Sequence, residues 1–326
     1  MYRSVYLQIQ YLVKFTLLFS LTILISGCEQ SSSQKQIGIV MPIAHESLDQ
    51  IVAGFVDALK KQYPQAHFKI ANAQGDLNIQ RAILQQMKNE RYDLIVPVTT
   101  SPTQMAAAMI PHVPIIGLAA VYTEADRQKK KICNINIVHD EIPVKTMLHF
   151  IHTTYPELKQ MTLLYTPSDK IFDDAKKMVI EGKNLGMTIT PLMIPSLQEL
   201  YGATQSLKNP QAILVLKDPL LVSGIATIVQ AAHKRGIPLI TSDEGSVKDG
   251  ADFALGVREQ AIGMEGAAMA TKVLSGTSIC TMPMVDMKHF LVFVNKKSFP
   301  KNNLDIQSLE TIAKKFHYPV RYLGDQ

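Results

Sequence analysis

The chain of 326 residues contains no tryptophan, only three cysteines, and a net charge of just +5. Each scarcity excludes something. Cys28, Cys133 and Cys280 form no Cys-x-x-Cys pair and no Cys/His cluster, so neither a metal centre nor a dithiol redox site is expected. Two of the cations, Arg3 and Lys14, fall in a leader segment, leaving a thinly spread positive charge that is too weak for a nucleic-acid footprint. The densest basic spot, Lys129-Lys130-Lys131, reads as a solvated loop. Gly-x-Gly-x-x-Gly, Gly-x-Ser-x-Gly and Gly-x4-Gly-Lys-(Ser/Thr) are all absent, which removes the common dinucleotide, nucleophile-elbow and P-loop chemistries. His45-Glu46 lacks the second histidine of a His-Glu-x-x-His site. His149 and His152 have no carboxylate company, and His139-Asp140-Glu141 reads as a solvated polar cluster. An enzyme is not expected, and no cofactor.

What is present begins at the amino terminus. Arg3 and Lys14 precede the apolar run Phe15 to Ile25, and Ser26-Gly27-Cys28 follows. About eleven residues rise roughly 16 Å as a helix, short of a hydrocarbon core of about 30 Å. The pattern resembles a bacterial lipobox, with Ile25 where leucine is usual. Residues 1–27 are therefore read as a cleaved lipoprotein signal peptide, with Cys28 as the lipidation site and residues 28–36 as a flexible polar tether. The expected location is the cell membrane or outer membrane, lipid-anchored and facing the periplasm or exterior. Glu29 rather than aspartate after Cys28 favours outer-membrane sorting in a cell that has an outer membrane. An oxidising compartment permits a Cys133–Cys280 disulfide, but separate buried thiols are the expected state.

From Ile37 onward short apolar runs alternate with amphipathic stretches. Ile37–Met41, His67–Ala71, Asp93–Val98, Val113–Leu118 and Ile132–Val138 read as strands; the continuous apolarity of Ile37–Met41 marks burial on both faces, whereas Ile132–Val138 is apolar at alternate positions. Helices are expected between them, including one from Pro102 to Ile110 with Ser101 as its N-cap. The rhythm restarts with a helix over Ile142–Thr154 and strands at Met161–Tyr165, Met187–Leu192, Ala212–Leu216, Ile237–Thr241 and Ala251–Val257. Helices are expected over Leu220–Arg235 and Gln260–Leu274, then a strand at Phe290–Val294 and a last helix at Ile306–Lys315. This alternation predicts an α/β fold of two doubly wound parallel-sheet lobes.

In open α/β sheets ligands bind beyond the carboxyl ends of the strands, so the loops there carry the candidates. They are His45 and Glu46 after the first strand, Asn72 and Gln74 after the second, and Thr99, Thr100 and Ser101 after the third. In the second half they are Tyr165 and Ser168, then Asp218, then Ser242 and Asp243. The Thr99–Ser101 turn suits an anion, or serves as a plain helix cap. Asp218 and Asp243 suit an ammonium, and Asp218 before Pro219 reads equally well as an N-cap.

His45, Asn72-Ala73-Gln74-Gly75-Asp76, Thr99-Thr100-Ser101-Pro102, Tyr165-Thr166-Pro167-Ser168 and Thr241 to Val247 together resemble a family of ABC transporter substrate-binding lipoproteins. The resemblance covers nearly all of Ile37 to Asn295. It implies the type I periplasmic-binding-protein fold with a three-crossing hinge near Ile137–Asp140, Leu255–Arg258 and Val285–Lys288. The lobes would then be residues 37–138 plus 257–285 and residues 139–256 plus 286–326. It further implies capture of a small zwitterionic solute, an amino acid and conceivably an aromatic one, with Thr99–Ser101 on the α-carboxylate and Asp218 and Asp243 on the α-ammonium. The partners implied are that ligand, a membrane ABC permease and the lipid anchor, the body itself being a monomer. A sensing role, with the closed form shown to a membrane receptor, is the alternative. Lys217-Asp218-Pro219 departs from the resemblance, because relatives commonly carry Thr-Asp-Asn there; Lys217 is expected to point to solvent, the alternative being a ligand that is not an ordinary amino acid. Without tryptophan, ring stacking falls to Tyr122, Tyr165 or Phe172.

Overall fold

The computed structural model describes residues 34–129, 131–167, 169–298 and 304–324. Cys28, most of the tether and Ser168 lie outside the described residues. The folded body, Gln36–Gln326, contains two sheets.

The first sheet is built from β1 (Gln36–Met41), β2 (His67–Asn72), β3 (Leu94–Pro97), β4 (Ile115–Leu118), β5 (Ile135–His139) and the short β11 (Val285–Asp286). Their order is β11-β5-β4-β3-β1-β2, parallel throughout. The connecting helices are α1 (Glu46–Gln62), α2 (Leu77–Asn89), α3 (Thr100–Met109) and α4 (Glu124–Lys129). The second sheet contains β6 (Gln160–Tyr165), β7 (Thr188–Met193), β8 (Ala212–Val215), β9 (Leu239–Thr241), β10 (Phe253–Gly256), β12 (Leu291–Asn295) and β13 (Val320–Leu323), in the order β13-β12-β10-β9-β8-β6-β7. Around it lie α5 (Val144–Thr154), α6 (Asp169–Asn184), α7 (Leu197–Gln205), α8 (Pro219–Ser223), α9 (Ile225–Arg235), α10 (Glu244–Lys248) and α12 (Ile306–Lys315). The remaining helix, α11 (Glu259–Leu274), follows β10 in sequence yet packs on α1, β4 and β5 of the first lobe.

The continuous apolar strands divide their side chains between two cores. Ile37, Ile39 and Met41 pack with Ile51, Phe55 and Ile262 on one face, whereas Val40 joins Leu84, Met87 and Ala106 on the other. In the second lobe Leu163 and Leu214 share a core with Phe150 and Met178, while Leu164 and Ile213 face Leu221 and Ile228. Successive residues of a strand point to opposite faces, so a sheet covered on both sides needs this uninterrupted apolarity.

The chain passes between the lobes at residues 140–143, 257–258 and 287–290. The third passage explains a departure from the expected parallel sheets. With no helix between β11 and β12 to carry the chain back to the far end, β12 starts at the hinge and runs antiparallel to β10. The expected helix Leu220–Arg235 is also two helices, divided at Gly224, whose missing Cβ accommodates Leu200 and Leu197 of α7. Cys133 and Cys280 are paired rather than separate, and Cys133 is exposed. Their Cα atoms, 4.8 Å apart, join the approach to β5 to the turn after α11.

Lobe 1 depends on a backbone-to-backbone contact. A Cβ on Gly263 of α11 would lie 2.0 Å from the carbonyl oxygen of Ile51 in α1, and one on Gly54 would lie 2.3 Å from the carbonyl oxygen of Gln260. No rotamer change relieves a clash with backbone. Gly263→Val is therefore expected to destabilise the protein by about 3 kcal/mol or more in urea unfolding. Gly202→Ala, in α7 with nothing within 4 Å of the added carbon, is the neutral control. Equal stability of the Gly263 variant and the parent would show that α1 and α11 do not touch.

Candidate functional site

Each sheet has a point where strand order reverses, between β1 and β3 in the first and between β6 and β8 in the second. Crevices form there, outside the carboxyl ends of the strands. A cavity of about 760 Å³ occupies that position, walled from lobe 1 by Pro42, His45 and Thr99–Ser101 and from lobe 2 by Thr166, Lys217 and Asp218.

The lobe 1 wall rests on an unusual turn. Thr99 has φ 73°, in the left-handed region that a β-branched residue seldom adopts. It is held by its N–H to Leu118 O at 2.8 Å and by the Thr103 hydroxyl donating to its carbonyl at 2.6 Å. As a result α3 begins at Thr100, two residues earlier than expected. Thr99, not Ser101, occupies the N-cap, and it makes no side-chain cap bond. The first-turn N–H groups are thereby left for an acceptor from elsewhere. The Thr100 hydroxyl accepts from Val121 N at 3.1 Å, and Ser101 meets the buried Gln80 amide at 3.1 Å.

Other candidates take different places. Asn72 Oδ1 accepts from Gln74 N at 2.7 Å and so shapes the loop that presents Gly75 and Asp76. Neither Asn72 nor Gln74 lines the cavity, and Gln74 is exposed. Tyr165 packs into the second core, Tyr122 is buried, and Phe172 lies beneath the Lys176 ammonium on the outside. None of the three reaches the cavity, whose described lining contains no tyrosine or phenylalanine. Strand parity accounts for Tyr165: it continues the inward face of Met161 and Leu163.

Asp218 does line the cavity, and it is also the N-cap of α8. Its Oδ1 accepts from Leu220 N and Leu221 N at 2.9 and 3.3 Å, and its Oδ2 accepts from the Thr166 N–H and hydroxyl. Asp243 lies outside the cavity. It caps α10 through Ser246 and accepts from the Ser47 hydroxyl of lobe 1 at 3.1 Å, which ties the lobes together. Gly245 beside it has no room for a Cβ, which would meet Ser47 Oγ at 2.4 Å. Glu46 is exposed and bridges to Lys248 of lobe 2 at 2.9 Å. Ser242 borders a side cavity of about 40 Å³ with Asp140 and Lys217.

Lys217 does not point to solvent. Its ammonium lies 2.6 Å from Asp140 Oδ2 on the first crossing and 2.6 Å from Glu259 Oε2 just past the second. Two buried acidic side chains draw the lysine inward, so Asp140 is not the solvated residue that its local sequence suggests, and Glu259, which no motif singles out, joins it. Their only sequence signal is position, each being the first acidic group after a strand end that faces the hinge. Burial works to lower the lysine pKa, but the charges and hydrogen bonds of Asp140 and Glu259 prevail and hold it above the usual value. One cation cannot balance two carboxylates out of water, and burial pushes Glu259 up to about 8 against the pull of Lys217, with Asp243 and Asp140 raising it further.

A proton on Glu259 that the native protein keeps and the unfolded chain releases links stability to pH. Between the usual 4.5 and about 8, the folded state binds more protons, so stability falls as pH rises through that window. The expected slope is at most about 1.4 kcal/mol per pH unit. Urea titrations of the parent and Glu259→Gln at pH 5.5, 7 and 8.5 should show the parent losing stability relative to the variant. Parallel curves would remove Glu259 as the source.

Comparison with known proteins supplies the lineage. The model of the ABC transporter substrate binding protein family matches residues 36–317. An uncharacterized protein of Rickettsia prowazekii is 35% identical over 89% of this chain and 91% of its own length. A tyrosine-binding protein of Clostridioides difficile is 28% identical over 86% of this chain and 83% of its own. An ABC domain of Streptococcus pneumoniae solved with L-Trp superposes with a TM-score of 0.78, at 22% identity, covering 85% of this chain and 98% of that one. The last likeness shows the fold, that of type I periplasmic binding proteins. With its two lobes, its crevice at the strand ends and a family match over most of its length, this chain belongs to the ABC transporter substrate binding proteins.

Proposed function

We propose that this protein is the extracytoplasmic solute-binding lipoprotein of an ABC importer, capturing a small zwitterionic solute, an amino acid, in the cleft and presenting the closed form to a membrane permease. The observation that carries the reading is a single cavity walled by strand-end loops of both lobes. A solute there touches both lobes only when the hinge is closed, so binding shifts the open–closed equilibrium toward closed. Residues 37–138 plus 257–285 move against residues 139–256 plus 286–326. The second sheet lies wholly in the second set and the first sheet in the first set apart from its terminal residues Gln36, His139 and Asp286, which supports that division to within a residue.

Within the cleft, the uncapped first turn of α3 with the Thr99, Thr100 and Ser101 hydroxyls receives the carboxylate. The Asp218 charge, which has no cation beside it among the described residues, favours the ammonium. Glu46 and Asp243 contribute as interlobe contacts instead. The tyrosine-binding and L-Trp-bound relatives support an amino acid as the solute class. The Ser26-Gly27-Cys28 motif supports anchoring at Cys28, with the body a monomer on its tether. Among the described residues no helix is long and apolar enough to cross a membrane.

Calorimetry with the twenty amino acids should find at least one ligand near micromolar affinity, about −8 kcal/mol. It should raise the melting temperature and contract the scattering profile. A body that ignores all twenty would sink the reading. Separately, Cys28→Ala should abolish palmitate labelling of the expressed lipoprotein, whereas equal labelling would place the anchor elsewhere.

A further inference from the structure

The buried face of α2 changes character where it meets the cavity. Gln80, Leu84 and Met87 are the buried residues of this helix and form one stripe at the spacing of its turns. Leu84 and Met87 enter a core with Val40 and Ala106. Gln80, one turn nearer the amino end, is 1% exposed and borders the cavity with Gly75, Asp76 and Leu77. An apolar side chain there would simply extend the core, whereas a buried amide is unfavourable unless its polar atoms are met. A polar residue at an apolar position of a repeating pattern is a local conflict, and such conflicts gather at functional sites.

The bonds of that amide have a direction. Its Nε2 donates to Ser101 Oγ at 3.1 Å and lies 3.6 Å from Met105 Sδ, so the two hydrogens of the NH2 group face two acceptors on α3. The flipped amide would set Oε1 against the thioether, lone pair against lone pair. Because Ser101 Oγ accepts from Gln80, its own hydrogen is directed elsewhere. Among the described residues the one acceptor it meets is Gln80 Oε1 at 3.5 Å, beyond the roughly 2.5–3.0 Å of a good O–H···O bond. Ser101 is exposed, borders the cavity and stands in the first turn of α3. Thr100, also on the cavity wall, is held in the same sense, its hydroxyl accepting from Val121 N at 3.1 Å.

We propose that Gln80 is a positioning residue of the solute site, holding the Ser101 hydroxyl as a donor toward a carboxylate at the first turn of α3. The inference rests on the amino-acid reading of the cleft. With the Ser101 proton turned away from the amide, this end of the cavity favours a group that only accepts. A group that itself donates, such as a carboxamide NH2, meets hydrogen against hydrogen there.

Calorimetry on the mature chain with L-tyrosine and L-tryptophan, and with the other eighteen amino acids if neither binds, identifies the probe. For that amino acid, Gln80→Met, a side chain of similar length without a polar hydrogen, and Ser101→Ala are each expected to weaken affinity by about tenfold. The double variant should bind no more weakly than Ser101→Ala alone, because the two residues act as one unit. Gln80→Glu, whose carboxylate would accept the Ser101 proton and repel an anionic group, should weaken binding more than Gln80→Met. Gln80→Leu repeats the measurement if the methionine variant melts early. Unchanged affinity in Gln80→Met, additive losses in the double variant, or unfolding of both apolar variants would overturn the role of Gln80 and leave the amino-acid reading standing. If none of the twenty binds the parent, that reading falls and this one with it.

Discussion

The Lys217 ammonium, 2.6 Å from Asp140 and 2.6 Å from Glu259, organises this molecule where the chain passes between the lobes. Lys217 stands at the end of β8 in lobe 2, Asp140 follows β5 on the first crossing, and Glu259 opens α11 in lobe 1. The three meet where the chain passes between lobes, and they also meet the cavity, because Lys217 and Asp140 form part of its wall. Removing any one would strand the others in a poorly hydrated setting, the costly kind of loss for a buried ion group. The hinge and the cleft thus share Lys217 and Asp140.

A second seam closes the lobes beyond the triad. Ser47 donates to Asp243, Glu46 reaches Lys248, and Gly245 allows the backbone of α10 to approach α1. These contacts use residues whose sequence context suggests solute binding. Their work is to hold the two walls at a spacing that lets both touch one small molecule. The buried Asp243 bond has a defined geometry, while the exposed Glu46–Lys248 pair is screened by water and contributes little.

The strands were legible because burial on both faces requires runs such as Ile37–Met41, which no exposed strand would keep. The strand-end loops followed from the sheet, and His45, Thr99–Ser101 and Asp218 reached the cleft as the chain order implied. Other features had no local signature. Threonine gives no hint of a positive φ, so α3 starts two residues before the position that its sequence suggests. A capping aspartate and an ammonium-binding aspartate look alike in sequence, which is why Asp243 was assigned to the cleft. Continuous apolarity hides which way a strand's last residue turns, and Tyr165 turned inward. The direction of Lys217 depended on two carboxylates remote in sequence, one on either side of a lobe. Only the fold brings them together.

The late return of α11 to lobe 1 bears on how the chain matures. Ile51 and Phe55 of α1 pack against a helix that comes after the whole of β6 to β10, and Gly263 must seat directly on their backbone. As the polypeptide is made, the first lobe waits half-dressed, its apolar flank open, until β6 to β10 of the second have been synthesised. An unfinished core of that kind is the sort of surface that chaperones retain. The disulfide between Cys133 and Cys280 then fastens the early part of lobe 1 to its late-arriving piece, a clasp that can close only after α11 has been made.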